Sequence, residues 1–145
     1  MKKILILNGP NLNMTGIRKT DVYGAETLKQ INDELKIYAK ARGFKADFFQ
    51  SNHEGEIIDA IHESKDYYDG VVINAGAYTH YSYAIRDAIE AVSGFTPFVE
   101  VHMSDIHARE DFRKISVITD VCVKQICGFG KDSYKMGIDL LEEIL

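Results

Sequence analysis

One rhythm recurs along the chain and restricts its fold more than any other feature. A short apolar, β-branched run is followed by a polar loop and then by apolar residues at helical spacing. The runs are Lys3–Leu7, Ala46–Gln50, Gly70–Asn74, Phe98–His102 and a weaker one over Val121–Gly128. Leu28, Ile31, Leu35 and Tyr38 repeat at intervals of three and four, as do Ile57, Ile58 and Ile61, then Ala84, Ile85, Ala88, Ile89 and Val92, and finally Leu140, Leu141 and Ile144. Each set predicts one core-facing helical stripe, and Gly43 and Gly94 fall where those helices should be capped.

Strands alternating with helices predict a parallel sheet covered on both faces. Five such units fit an α/β, flavodoxin-like, doubly wound five-stranded sheet of order 2-1-3-4-5, the order following from the fold class rather than from any residue. At 145 residues, 46% hydrophobic and 27% charged, the composition suits one core, so residues 1–145 are expected to form a single catalytic domain. No run approaches the roughly 18 apolar residues of a membrane span, and the apolar stretch after Met1-Lys2-Lys3 is too short for a secretory signal, so a cytoplasmic protein without membrane partners is expected. A net charge of −5 argues against a nucleic-acid partner. Cys122 and Cys127 match neither a CxxC redox pair nor a zinc knuckle. On one strand they would face opposite sides, and they read as packed thiols.

In such a sheet ligands bind beyond the carboxyl ends of the strands, near the point where strand order reverses. Those ends hold the unusual residues. The segment Asn8–Gly24 is longer than an ordinary strand-to-helix connection, which predicts a lid or binding loop. Gln50–Gly55, Asn74–Ser82 and Glu100–Glu110 with Arg113 follow the next three strands, and with the first segment they should bring to one edge several amides, the three histidines His80, His102 and His107, and the three arginines Arg18, Arg109 and Arg113. Phosphate cradles are missing: no GxxxxGK[ST] or GxGxxG follows strand one, so no nucleotide or flavin cofactor is expected. No HExxH occurs, and no metal is expected. Glu100 and His102 alternate on a strand and so share a side, which favours a carboxylate orienting an imidazole for proton transfer. Structural hydrogen bonding and metal ligation remain open on these residues alone.

Several of these segments together carry a resemblance. Leu7-Asn8-Gly9-Pro10-Asn11-Leu12-Asn13, Arg18 with Tyr23-Gly24, Gln50–Gly55, Asn74–His80, Ala84–Ala88, Glu100–Ser104, His107–Glu110 and Phe112-Arg113 resemble, in order and over essentially the whole chain, type II 3-dehydroquinate dehydratase. The resemblance implies dehydration of 3-dehydroquinate to 3-dehydroshikimate in the shikimate pathway of aromatic amino acid biosynthesis, without cofactor or metal, by a homo-dodecamer built as a tetramer of trimers. It implies Tyr23 as proton-abstracting base, His102 as general acid, Arg18 as a lid residue stabilising the tyrosinate, Asn11 as holder of the water at the enolate, and Glu100 in support. Asn74, His80, Asp87, Met103, Ser104 and Arg113, with Arg109, would bind the anionic substrate, Asp87 across a subunit boundary.

The residue types suit the chemistry. Removing a proton α to a ketone needs a base, an oxyanion position and an acid for the departing oxygen. A tyrosine titrates near ~10 unperturbed, so a permanently charged arginine nearby is the natural aid. Taken singly, Tyr23 reads as an aromatic at the start of a helix, Arg18 as an exposed side chain, Asn11 and Asn74 as turn formers and Asp87 as a surface carboxylate. Two positions depart from the family pattern: Lys19-Thr20 replaces the usual Glu-Pro after the lid arginine, and Asp105 replaces an Asn, which predicts an unwelcome negative charge near an anionic substrate. The rival classes are a non-catalytic small-molecule-binding flavodoxin-like module and a metal-dependent hydrolase using His80, His102 and Glu100.

Overall fold

The computed structural model describes the backbone of residues 1–145 and every side chain except that of Tyr23. Its strands are β1 (Lys2–Asn8), β2 (Phe44–Gln50), β3 (Gly70–Asn74), β4 (Phe98–His102) and β5 (Lys124–Cys127), and its helices are α1 (Thr20–Tyr23), α2 (Leu28–Ala41), α3 (Glu54–Tyr67), α4 (Tyr83–Val92) and α5 (Asp132–Ile144). The strands pair in the order β2-β1-β3-β4-β5, all parallel, which is the expected flavodoxin-like arrangement.

Both faces of the sheet are covered, so the central strands are continuous apolar runs rather than alternating ones. Ile4 and Ile6 of β1 join Ile31 and Leu35 of α2 and Ile138 and Leu141 of α5 on one side. Leu5 and Leu7 join Ile57 and Ile61 of α3 and Ile85 and Ile89 of α4 on the other. The first turns of α2 and α4 are fixed by their sequence. Thr27 accepts from the Gln30 amide while the Gln30 side chain accepts from the Thr27 amide, and Ser82 accepts from the Ile85 amide.

Four sequence expectations need correction. Ala84 is exposed, because the buried stripe of α4 is Ile85, Ala88, Ile89 and Val92, and residue 84 falls to one side of it. Ile144 is 44% exposed. Leu141 and Leu145 take the inner positions there, packing so closely on Gly70 that a Cβ would sit 2.9 Å from Leu141 Cδ2 and 3.3 Å from Leu145 Cδ1. Gly43 does adopt the left-handed conformation after α2 (φ 87°), but Gly94 does not: the Val92 carbonyl accepts from Phe95 and Thr96 instead. The fifth strand is shorter than expected, since Thr119–Val121 form a 3-10 turn before it. Cys122 therefore lies outside β5, and only Cys127 is on it. Both are free thiols, and burial pushes both thiol pKa values up, which makes them poor nucleophiles.

Candidate active site

Parallel pairing aligns the carboxyl ends of the central strands: Asn8 lies beside both Gln50 and Asn74, and β4 ends at His102. The turns that follow pack tightly. Gly9 donates its amide to the Asn74 carbonyl at 2.8 Å, and a Cβ there would meet the Ala75 carbonyl oxygen at 2.4 Å, so only glycine permits this approach. Gly76, at φ 60°, sits under the Pro10 carbonyl in the same way. Beyond them opens a cavity lined by residues that include Asn11, Arg18, Asn74, His80, His102, Met103, Ser104, Arg109 and Arg113.

The Asn8–Gly24 segment is more ordered than a bare loop. Leu12–Met14 form a 3-10 turn and α1 closes the segment, with Gly24 donating back to Thr20 at 2.9 Å. Asn11 (φ 68°) and Lys19 (φ 46°) are left-handed, a conformation that asparagine tolerates better than lysine. The Asn11 amide donates to Asn52 Oδ1 at 3.0 Å, tying this segment to the loop after β2. Just past it, Glu26 is held at 2.7 Å by Lys131, the residue before α5.

Below the cavity, Glu100 is fully buried and accepts from four side chains. His102 Nε2 lies 2.5 Å from Oε2, which also accepts from Ser116 Oγ at 2.9 Å and Gln125 Nε2 at 3.2 Å, while Thr119 Oγ1 donates to Oε1 at 2.5 Å. Burial alone would raise the Glu100 pKa, but the hydrogen bond and charge of His102, with the two hydroxyls, outweigh it and hold the carboxyl below the usual value. Glu100 is thus a fixed anion that turns the imidazole, leaving His102 Nδ1 as the nitrogen not engaged by it.

His80 Nδ1 lies 2.7 Å from the Ile115 carbonyl, which can only accept, so Nδ1 carries the hydrogen. Burial holds this imidazole below its ordinary pKa against the opposing pull of that carbonyl, and the neutral ring offers Nε2 as an acceptor. Arg109 Nη1 donates to Ser104 Oγ at 3.3 Å. Arg113 donates to Glu110 at 3.0 Å and lies 4.7 Å from the centre of the Phe112 ring. That ion pair holds the Glu110 carboxyl below its usual pKa. Three arginines beside two histidines make a site suited to a small anion with groups that exchange protons.

The structure does not bring every expected residue into this cavity. Two histidines line it rather than three, because the exposed His107 turns to Gln125 Oε1 at 3.0 Å. Glu100 lies beneath the cavity and not in its wall. Asp87 is on the exposed face of α4, away from the cavity of its own chain. The side chain of Tyr23 lies outside the described residues. Among the described residues no group of three or more His, Cys, Asp or Glu could hold a metal ion, and no helix is long and apolar enough to cross a membrane. Ser116, Thr119, Gln125 and Tyr134 escaped the sequence reading. Only Tyr134 left a trace, as the first member of a Tyr134, Ile138, Leu141 stripe that reads as plain core.

A family model described as dehydroquinase class II matches residues 2–142. A 3-dehydroquinate dehydratase of Bacillus cereus (strain AH820) is 53% identical over 145 residues, covering 100% of this chain and 98% of the relative. The crystal structure of a type II dehydroquinase from Butyrivibrio crossotus superposes with a TM-score of 0.94 at 50% identity, covering 97% of each chain. That of a type II dehydroquinase from Propionibacterium acnes gives a TM-score of 0.94 at 36% identity, covering 99% of this chain and 97% of the other.

Proposed function

The chain belongs to the dehydroquinase class II family, and from that premise we propose that it eliminates water from 3-dehydroquinate to give 3-dehydroshikimate, in the shikimate route to aromatic amino acids. Membership at 53% identity over the full length supports the dehydratase activity. The observation that carries the chemistry is the Glu100–His102 pair at the floor of an arginine-lined cavity. Arg113 and Arg109 supply positive charge for the substrate carboxylate, with Asn74, His80 and the Met103–Ser104 turn binding the ring substituents.

In this reading Tyr23, as tyrosinate, takes the proton α to the ketone, and the electron pair moves onto the ketone oxygen as an enolate. Asn11 holds a water at that oxygen, and Arg18 stabilises the developing charges. Collapse of the enolate breaks the carbon–oxygen bond at the β-hydroxyl, which leaves as water with a proton from His102. Since His102 Nε2 is engaged by Glu100, the proton comes from Nδ1, and the ring that gives it is doubly protonated. No step requires a metal or an imine. Residues 1–145 act as one catalytic domain, the working particle is a cytoplasmic dodecamer of four trimers, and Asp87 completes the site of a neighbouring subunit.

Incubating the protein with 3-dehydroquinate and following the absorbance of the conjugated enone, with and without chelator, tests the reading. Enone formation that survives chelation is expected. Loss on chelation indicates the metal-hydrolase class, and no turnover with retained ligand binding indicates a binding module.

A further inference from the structure

Tyr134, in the first turns of α5, is wholly buried yet carries a hydroxyl between two side chains at the strand ends. Its O–H donates to Asn8 Oδ1 at 2.5 Å, and its oxygen accepts from Asn74 Nδ2 at 3.0 Å. A phenol has one hydrogen to give, and Asn8 Oδ1 can only accept, so the Asn74 end of this chain must be a donor. A second contact agrees: the Gly76 amide donates to Asn74 Oδ1 at 3.1 Å. The Asn74 amide is therefore held at both ends by groups that permit only one of its two orientations. Among the described residues the other Nδ2 hydrogen has no partner, on a residue that lines the cavity.

The seat of Tyr134 is itself built. At Gly137, one turn further along α5, a Cβ would meet Val72 Cγ1 and Val101 Cγ1 at 3.1 Å each, so the absence of a side chain lets the helix lie close on β3 and β4. Burial pushes the Tyr134 hydroxyl pKa far up, so it remains a neutral donor and acceptor at any working pH. Between β5 and α5, Gly128 and Gly130 donate to the carbonyls of His102 and Met103 at 3.3 and 2.9 Å, so the same end of α5 also steadies the β4 side of the cavity.

We infer that Tyr134 is a positioning residue that orients the Asn74 amide so that the cavity presents an N–H donor, and therefore reads an oxygen acceptor on the ligand, at that point. This rests on the dehydratase reading for the identity of the ligand, but not for the hold itself. Because the donor acts in binding, Tyr134→Phe is expected to raise KM for 3-dehydroquinate about tenfold while kcat changes less than about threefold, a loss near ~1.4 kcal/mol of binding. In an Asn74→Ala background the same change should move KM less than twofold, because Tyr134 acts through Asn74. A wholly structural role would lower thermal stability, leave the KM of the folded enzyme unchanged and add in full to Asn74→Ala.

An unaltered chain provides the second measurement, which also stands if Tyr134→Phe fails to fold. In the proton–nitrogen NMR spectrum of the free protein, the two Asn74 Nδ2 hydrogens should differ, one protected from exchange by Tyr134 and one not. Quinate, which lacks the ketone and so cannot form the enolate, should shift the unprotected one. Equal exchange of the two hydrogens, an unchanged KM in Tyr134→Phe, or KM effects that multiply in the double variant would overturn the inference. An unaltered enzyme that does not convert 3-dehydroquinate, with the Asn74 hydrogens still distinct, would overturn the dehydratase reading and leave the hold standing.

Discussion

Thr119→Val removes one hydroxyl and little volume, and its effect can be worked from the contacts of Glu100. That hydroxyl donates to Glu100 Oε1 at 2.5 Å and accepts from Gln125 Nε2 at 3.1 Å. A hydrogen bond to a buried charge contributes about 1.5–3 kcal/mol and a neutral one about 0.5–1.5 kcal/mol, so the variant should lose about 2–4.5 kcal/mol near neutral pH. The pH dependence follows from the direction of the Glu100 shift. A carboxyl whose folded pKa is depressed contributes stability above its unfolded pKa, and that contribution is lost as pH falls through the folded pKa. Valine lets the folded pKa climb back toward the unfolded value. The gap between the two proteins is then widest near neutrality and narrows in acid, where both hold a protonated Glu100. Urea unfolding at matched protein concentration, from pH 7 downward, measures the gap, and Thr119→Ser, which keeps the hydroxyl, is the control. A gap that stays constant into acid, or a serine variant as unstable as the valine one, would refute the reasoning that Thr119 holds the charge on Glu100.

Trypsin should cut the free protein after Arg18 or Lys19, which lie between the 3-10 turn and α1, and saturating quinate should slow the cut; equal rates would argue against a closing segment. Asp87→Ala and Tyr23→Phe chains, each inactive alone, should regain part of the activity when co-assembled, because some sites receive both intact residues. Verified mixed particles as inactive as either parent would remove Asp87 from the neighbour's site. Tyr23→Phe should lower turnover at least ~100-fold, the low end for loss of a general base, and borohydride with substrate should leave the unaltered enzyme active. Substantial turnover by Tyr23→Phe, or a reduced adduct on a lysine, would sink the enolate route.

The sheet was legible because parallel strands buried on both faces leave short apolar runs, and the helices between them leave stripes that periodicity detects. Sharing of a side by Glu100 and His102 was legible for a similar reason, since strand alternation is local. What holds that pair was not. Ser116, Thr119 and Gln125 reach Glu100 from 16, 19 and 25 residues away, through side chains whose types are common in any loop or edge strand. Tyr134 meets Asn8 across 126 residues, and a tyrosine within a helical stripe looks like core until its hydroxyl is placed. Asp87 is a different case: a residue expected to act on another subunit leaves no mark within one chain beyond its exposure.

Asp105 has a local structural role beside the charge by which the sequence singles it out. As a charge it stands against an anionic substrate. In the fold its carboxylate accepts from the His107 amide at 3.0 Å and opens the Ile106–Ala108 turn, and among the described residues it does not line the cavity. Its oxygen faces Cys127 Sγ at 3.9 Å and its Cβ lies against Gly128, on the β5 side of the loop. Asparagine and aspartate are near equals when a side-chain oxygen must accept from a backbone amide two residues on. The exchange of one for the other therefore preserves the turn between Ser104 and Arg109, with the carboxylate engaged by the His107 amide on the β5 side of the loop.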